Sequence, residues 1–530
     1  MTSATRFITV IAWLCLSAFA LYRISVPPTA AALDIDDGTQ QGLFAHLQQI
    51  TVAPRPIASP GHDAVHDYIV AEITRLGLTP DIQQRPLGTF RNMPRWADEE
   101  DELRNIAVRL PGSGEGRALV LASHYDSAPE SFGAGDDGAA VASMLQLLAE
   151  VARADFANDL IFLFTDAEEN CLCGAYAFMR EHPWAPDVGA VLNFEARGTS
   201  GKSVMFEATP GYGSLVRLYA EHARSPATSS LYQSVYELLP NDTDLTVFRE
   251  HGVLGLNMAF IDSSENYHTA NDNFANLNRD TALHHYANMR AMLYALADAD
   301  LDALESPDVI FFDVFGLVVF VYDYAFAWIG AALATVLCGW LLYDAWRDGR
   351  MNVTRFAIAL VLLPLATAVL IVALSAISDE LIARIGPMTA AGKKFYSGTF
   401  IIGAMAAFMA IATMLQRRLG RGVLIAAILC LWLVLLVVTS IALPKVSYIF
   451  LWPLLLVLAL KALEATWPVT GRATAVAAPL AYAPLVVLWT QVAFALLLAL
   501  NVADMHVTLT PMLLAAALLW TSELFKPLKP

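Results

Sequence analysis

The sequence is poor in cysteine and in charged residues for its length. Only five cysteines occur among 530 residues, and three of them (Cys15, Cys338 and Cys430) lie in hydrophobic segments. This distribution predicts no disulfide framework. Charged residues make up 16% of the chain and hydrophobic residues 56%, with a mean hydropathy of +0.50. Such a composition is too apolar for an ordinary soluble enzyme and indicates a membrane protein.

Basic residues are scarce in the first 324 residues, where 19 Lys and Arg accompany 43 Asp and Glu, a net charge of −24. From Ala325 onward, 14 basic and 7 acidic residues give a net charge of +7. An acidic domain is therefore predicted to be fused to a mildly basic membrane domain. The acidic surface argues against nucleic acid as a partner.

The N-terminus carries an apolar run, Phe7–Tyr22, preceded by Arg6. The run has about the length of a short membrane anchor. It also resembles a signal peptide, for which the alanines at 30–32 would be the cleavage site. We expect residues 1–37 to form an N-terminal membrane anchor and a linker, with a cleaved signal peptide as the alternative.

Residues 38–305 alternate short apolar runs with segments of helical spacing. Strands are predicted at Ala118–Ala122, Leu160–Phe164, Ala190–Phe194, Val204–Glu207 and Val253–Ile261, and helices at His62–Leu76, Gly138–Val151, Asp242–Glu250 and Ala275–Leu296. Asp242 is a candidate helix N-cap. The alternation predicts an α/β fold with a mixed sheet flanked by helices.

The C-terminal part is predicted to be an all-α, multi-span membrane domain. Residues 306–324 form an apolar connector, in which the run Val309–Val321 contains Asp313 and is expected to be re-entrant or interfacial. Residues 325–530 contain seven expected transmembrane helices: Ala325–Tyr343, Phe356–Ser378, Thr399–Met414, Val423–Leu443, Val446–Leu460, Val476–Leu500 and Val507–Trp520.

Basic residues in the short loops predict the orientation of these spans. If all seven are real, one set of basic residues falls on a single side, which is then cytoplasmic together with Arg6: Arg347, Arg350, Arg355, Arg417, Arg418, Arg421, Lys461, Arg472, Lys526 and Lys529. Arg384, Lys393 and Lys394 lie on the opposite side and argue weakly against this orientation. The α/β domain is then extracytoplasmic, on the periplasmic side of a bacterial inner membrane or in a eukaryotic lumen.

The stretch DLIFLFTDAEENCLCG, residues 159–174, places an acidic cluster at the end of a predicted strand. Its carboxylates are Asp166, Glu168 and Glu169, and an open α/β sheet places its site at such strand ends. One of two adjacent glutamates can bind a metal while the other moves a proton. Cys171 and Cys173 are interpreted as buried small apolar residues, with metal binding as the alternative.

Further candidate ligands end strands or open helices elsewhere in the domain. They are His124 with Asp126 two residues later, Asp136 in the turn Gly135–Gly138, Glu195 and His268. All of them can converge at one edge of one sheet. Two histidines, a bridging aspartate and two terminal glutamates form a sound ligand set for two zinc ions.

The segments HYDS, GDDGAA, DAEEN, NFEARG and YHTAND, in this order, resemble the di-zinc aminopeptidases, the M28-type metallopeptidase family. Within it, the chain is most similar to the membrane subgroup of endoplasmic reticulum metallopeptidases (Felix-ina). Further segments that carry this likeness are Asn193–Lys202, Asn241–Asp244, Ala259–Asp262 and Phe311–Asp313. The resemblance covers about residues 40–300 and implies the zinc exopeptidase fold.

The resemblance also implies a role for each candidate residue. Asp136 would bridge two zinc ions per chain; His124 and Glu195 would complete one site, and Glu169 and His268 the other. Many family members have Asp where this chain has Glu195, although the closer subgroup also has Glu there.

The same resemblance makes Glu168 the general base and Asp126 the residue that orients His124. The implied function is a membrane-anchored metallo-aminopeptidase acting on peptides with a free N-terminus, with the lipid bilayer as its other partner. Two alternatives remain open: a glutaminyl-cyclase-like acyltransferase, which works with one zinc, and a non-catalytic receptor or scaffold with a peptidase fold.

Overall fold

The computed structural model describes residues 3–90, 97–114, 116–386, 390–466, 471–499 and 505–522. The chain forms two compact units. Arg23–Tyr322 is the α/β unit, and Met1–Tyr22 together with Asp323–Pro530 is the helical unit. The first helix, α1 (Ser3–Ser25), is therefore grouped for most of its length with the C-terminal helices.

A seven-stranded mixed sheet forms the centre of the α/β unit. Its strands are β1 Asp81–Pro86, β2 Glu102–Leu110, β3 Ala118–His124, β4 Asp159–Thr165, β5 Val188–Ala196, β6 Val204–Ala208 and β7 Leu254–Phe260. They are ordered β1-β2-β4-β3-β5-β7-β6. The four strands β4, β3, β5 and β7 run parallel, and the remaining pairings are antiparallel. The predicted α/β class with a mixed sheet is confirmed.

Helices cover both faces of this sheet. They are α2 Ala30–Leu33, α3 Asp37–Ile50, α4 Pro60–Arg75, α5 Ala139–Val151, α6 Glu168–Cys171, α7 Cys173–Glu181, α8 Gly213–His222, α9 Ser230–Tyr236, α10 Asp244–Glu250 and α11 Arg279–Leu296. Because alternate residues of a strand point to opposite faces, Leu121 packs in the core with α3, α5 and α11, and Val120 packs in the core with α7 and α10. Burial on both faces explains why the central strands are continuous apolar runs.

Two helices begin later than their apolar patterns predict, because capping residues define their starts. α10 begins at Asp244, and Thr243 rather than Asp242 is its N-cap, forming a capping box with Thr246. α11 begins at Arg279 because the Asn278 side chain accepts a hydrogen bond from the backbone N–H of Thr281.

The segment predicted as an apolar connector forms a hairpin of β8 (Val309–Val314) and β9 (Val318–Asp323). The interpretation of Val309–Val321 as re-entrant or interfacial is wrong for β8. The strand is buried in the α/β unit, where the Phe311 ring lies 5.8 Å from the Tyr212 ring and Phe312 forms a bridge with Ser229. Its apolar sequence therefore serves the core of this unit.

The C-terminal part of the helical unit is α-helical. Its helices are α12 Tyr324–Arg347, α13 Val353–Ile385, α14 Ala390–Leu419, α15 Arg421–Ala442, α16 Tyr448–Thr466, α17 Gly471–Ala499 and α18 Met505–Trp520. Among the described residues, seven helices are long and apolar enough to cross a membrane: α1 and α12–α17. α18 is apolar but has only 16 residues. Leu500, Lys526 and Lys529, used in the predicted topology, lie outside the described residues.

Candidate metal centre

The candidate site lies at the carboxyl edge of the parallel strands. β3 ends at His124, β5 ends one residue after Glu195, and Glu168 and Glu169 follow β4. The carboxyl ends of parallel strands meet at one edge of a sheet, which brings residues from distant parts of the sequence together. His268 joins them from the segment after β7.

One group of potential ligands consists of His124, Asp136 and Glu195. The Nε2 atom of His124 lies 3.2 Å from Oδ1 of Asp136 and 3.7 Å from Oε2 of Glu195. All three residues are buried. The Asn193 amide donates a hydrogen bond of 3.1 Å to Oε1 of Glu195, which leaves Oε2 directed at the site. We call this group the His124 donor set.

A second group, the His268 donor set, consists of Asp136, Glu169 and His268. The Nε2 atom of His268 lies 3.2 Å from Oδ2 of Asp136 and 2.8 Å from Oε2 of Glu169. The backbone N–H of Ala128 donates to Oε1 of Glu169 at 2.7 Å. The His268 side chain is 39% exposed, so the site opens to solvent on this side.

The two donor sets share Asp136. In each set, one donor atom per residue lies within 4.8 Å of the others, so each set can hold a metal ion. Imidazole nitrogen and carboxylate oxygen are donors that zinc accepts. The structure thus brings together all five predicted ligands.

Asp126 connects His124 to the turn that carries the two glutamates. Its Oδ1 atom lies 3.4 Å from Nδ1 of His124, the ring nitrogen that faces away from the donor set. The same carboxylate accepts backbone hydrogen bonds from Glu168 at 3.1 Å and Glu169 at 3.4 Å. A carboxylate behind a ligating imidazole holds the ring in place, and here it also holds the adjoining turn.

The turn after β4 separates Asp166 from the glutamates that follow it. Ala167 is buried and has a left-handed backbone with φ of 55°, a conformation that non-glycine residues rarely adopt. Asp166 contacts His62 Nε2 at 2.7 Å and accepts a hydrogen bond from the Tyr125 hydroxyl at 3.1 Å. It therefore stabilises the fold and belongs to neither donor set, although the sequence places it in the acidic cluster.

Two residues that the sequence analysis missed hold the loop that carries Asp136. Arg55 is fully buried, and its guanidinium donates to the carbonyl oxygens of Tyr125, Phe132 and Gly133. Asp272 accepts backbone hydrogen bonds from Gly135 at 2.6 Å and from Asp136 at 3.1 Å. Asp272 lies four residues after His268, in the segment YHTAND, whereas no local pattern marks Arg55.

Several buried carboxylates lie close together in the site, and their pKa values and that of His268 are shifted from the usual range. Burial raises the pKa of Glu195 to about 8 and raises that of Glu168 well above its usual range. Burial alone would lower the pKa of His268, but hydrogen bonds to Asp136 and Glu169 outweigh it and raise that pKa to about 10. Bound cations would relieve this crowding of negative charge.

The sequence predicts no disulfide framework, and the described residues contain one disulfide, in a short turn. Cys171 and Cys173 form a disulfide with Cα atoms 4.9 Å apart, so neither acts as an isolated apolar residue or as a metal ligand. Leu172 between them has a left-handed φ of 52°, which turns the chain back and brings the two cysteines together. The disulfide closes the turn directly after Glu169.

The fold and the two donor sets can be compared with those of known proteins. Residues 105–293 match peptidase family M28. The matched segment contains all five predicted ligands, with His268 towards its end.

Curated relatives include membrane proteases. Endoplasmic reticulum metallopeptidase 1 of Homo sapiens is 32% identical over 299 residues, which covers 52% of this chain and 33% of that protein. Vacuolar membrane protease of Candida albicans (strain WO-1) is 36% identical over 245 residues, covering 46% of this chain and 28% of that protein. The chain thus spans about a third of the length of the curated relatives it matches.

Among solved structures, an aminopeptidase from Aneurinibacillus sp. strain AM-1 is similar, with a TM-score of 0.41 and 13% identity. The likeness covers 51% of this chain and 96% of that one. No functional conclusion follows from a likeness at this level.

Proposed function

We propose that the chain is a membrane-anchored aminopeptidase that uses two zinc ions. The observation that carries the proposal is the position of Asp136, whose two carboxylate oxygens each lie 3.2 Å from a different histidine. A carboxylate shared by two donor sets is suited to hold two cations a few ångströms apart. His124 and Glu195 would complete one zinc site, and Glu169 and His268 the other.

Glu168 is proposed as the general base. Its side chain belongs to neither donor set, while its backbone N–H is anchored to Asp126 beside both of them. Bound zinc would supply Lewis-acid activation of water and of the peptide carbonyl. Glu168 would accept the proton of the attacking water and deliver it to the leaving amine. Asp126 would hold His124 and the turn that carries Glu168 and Glu169 in fixed positions relative to each other.

The charge of the α/β part favours an amino terminus as the recognised end of the peptide. Residues 1–324 carry a net charge of −24. Such a surface attracts a protonated α-amine and repels a C-terminal carboxylate. This supports aminopeptidase over carboxypeptidase activity, with peptides that have a free N-terminus as substrates.

The proposed location of the α/β unit is extracytoplasmic, on the periplasmic side of a bacterial inner membrane or in a eukaryotic lumen. Arg347, Arg350 and Arg355 flank the loop between α12 and α13, and charge bias assigns such a loop to the cytoplasm. α12 begins directly after the α/β unit, so one membrane crossing separates that unit from this loop.

The test is a zinc count per purified full-length chain together with an exopeptidase assay. We expect two zinc ions per chain and cleavage of fluorogenic aminoacyl amides. N-acetylated versions of the same compounds should resist cleavage. A chelator should abolish turnover, and added zinc should restore it.

The two alternatives give different results in the same experiment. One zinc per chain, with ammonia release from N-terminal glutamine and no cleavage of aminoacyl amides, would identify a glutaminyl-cyclase-like acyltransferase. A fully zinc-loaded chain without turnover on any free or blocked peptide would identify a receptor or scaffold.

A further inference from the structure

The β8–β9 hairpin presents apolar side chains that the α/β unit does not cover. Leu317 is 68% exposed, and Val318 and Phe320 are each 46% exposed. Val319, between the last two, is buried because alternate residues of β9 point to opposite sides. Val318 and Phe320 therefore point to the same side of β9, and Leu317 is exposed in the turn just before it. We call these three residues the hairpin tip. A group of exposed apolar residues marks an interaction site more often than isolated ones do.

The hairpin itself is firmly held in the α/β unit. Asp313, at the end of β8, accepts backbone hydrogen bonds from Thr228 at 3.2 Å and from Gly316 at 2.8 Å. The Phe320 ring stacks on the Phe312 ring with centroids 5.4 Å apart. Hydrogen bonds and ring stacking therefore hold the backbone that carries the hairpin tip.

Both ends of β9 are tied to the ends of membrane-length helices. In the turn just before β9, Arg23 donates hydrogen bonds to the carbonyl oxygens of Phe315, at 2.7 Å, and Gly316, at 3.5 Å. Arg23 lies in the last turn of α1, which includes the candidate span Arg6–Ser25. At its other end, β9 finishes at Asp323 and α12 begins at the next residue.

The short strand β9 keeps the hairpin tip close, along the chain, to the start of α12. From Val318 to Asp323 it covers only about 20 Å at the usual rise of a strand. Tyr324 and Arg23 both mark points where the chain enters or leaves an apolar helix. The hairpin tip is therefore within about 20 Å, along the chain, of the residue at which a candidate span begins.

We propose that the hairpin tip, Leu317, Val318 and Phe320, binds the lipid bilayer by inserting into the boundary between headgroups and acyl chains. Aromatic and aliphatic side chains are favoured at this depth. The guanidinium of Arg23 beside the tip suits the phosphate groups of lipids. This contact would restrict movement of the α/β unit relative to the bilayer.

The experiment uses the full chain in nanodiscs of phosphatidylcholine and phosphatidylglycerol, with a fluorescent nitrobenzoxadiazole label at Phe320→Cys. The free cysteines are first replaced, as Cys15→Ser, Cys338→Ala and Cys430→Ala. Lipids carrying a nitroxide at a shallow acyl position should remove most of the fluorescence at residue 320. The matched control is Leu238→Cys, since Leu238 is an apolar residue of the same unit and is 85% exposed. Its label should keep its fluorescence.

A second measurement keeps the native cysteines and places a benzophenone-bearing phenylalanine at position 320. Illumination should yield lipid adducts there and none at position 238. Equal quenching of both labels, or benzophenone adducts to a second copy of the chain or another protein in place of lipid, would overturn the proposal.

Discussion

At the scale of single residues, two adjacent glutamates differ in what their side chains contact. Glu169 has one carboxylate oxygen 2.8 Å from His268 and the other bonded to a backbone N–H. Glu168 belongs to neither donor set, although it lies on the same turn. Neighbouring positions with the same chemistry thus have different proposed tasks, one in metal binding and one in proton transfer.

We expect Glu168→Gln to keep both zinc ions and to lose about 10²–10⁴-fold in kcat, the usual contribution of a general base. The amide has the shape of the carboxylate but cannot accept the proton. Metal analysis and steady-state kinetics on the same sample check this. Glu169→Gln is the matched variant and should lose zinc first. A zinc-loaded Glu168→Gln protein with near-normal kcat would remove Glu168 from its role.

Two adjacent histidines on α11, His284 and His285, are buried away from the donor sets. The pKa of His284 is lowered to about 3 by burial and by the nearby charge of Lys202, and burial lowers the pKa of His285 to about 3. The His285 ring contacts the rings of Phe194 and Phe260 edge to face, and its Nδ1 is 2.8 Å from the hydroxyl of Ser203. Both rings are therefore neutral in the folded state.

Because of these two buried histidines, we expect the free energy of unfolding to decrease at acidic pH. Below the unfolded pKa of about 6.5 the unfolded chain binds protons that the folded chain does not, so stability falls as pH falls from 6.5 towards 3. Each histidine contributes up to about 1.4 kcal/mol per pH unit. His285→Phe with Ser203→Ala removes one titrating group and its polar partner, so the unfolding midpoint should fall less steeply below pH 6. Identical slopes for variant and wild type would contradict this.

At the scale of elements, the local sequence patterns were sufficient to predict the parallel strands and the positions of the candidate ligands. The parallel strands are largely apolar because both of their faces are buried, and four of the five predicted ligands lie near the end of such a strand or just before a helix. His268 lies in the longer segment after β7. Arg55 and Asp272 escaped prediction because their role depends on contacts with a loop distant in sequence. β8 was misassigned because an apolar run that completes a soluble core looks the same as one that enters lipid.

The disulfide turn between Cys171 and Cys173 should stabilise the segment that carries Glu169. Chain-entropy arguments give about 1–2 kcal/mol for so short a loop. We expect the double variant Cys171→Ala, Cys173→Ala to release zinc at lower chelator concentration, while kcat at saturating zinc stays close to wild type. Cys338→Ala, which removes a free cysteine in the helical unit, is the control and should not change the chelator titration. An unchanged titration in the double variant would show that the turn is held without the disulfide.

At the scale of the whole molecule, the topology depends on α18. With 16 residues it is about 24 Å long, less than the roughly 30 Å of a bilayer core. However, many of its side chains are buried within the helical unit, including those of Leu509, Leu513 and Trp520. A short helix packed among longer ones can cross by local thinning of the bilayer.

We therefore expect α18 to cross the membrane, which makes seven spans after the α/β unit and places the C-terminus in the cytoplasm with the loop between α12 and α13. A reporter fused after Pro530 should respond as one inserted after Gly349 does, and protease added from the other side should reach the α/β unit. If the C-terminal reporter instead responds from the same side as the α/β unit, α18 does not cross. The Gly349 reporter tests the side of the α/β unit independently, because a single expected span separates it from that unit.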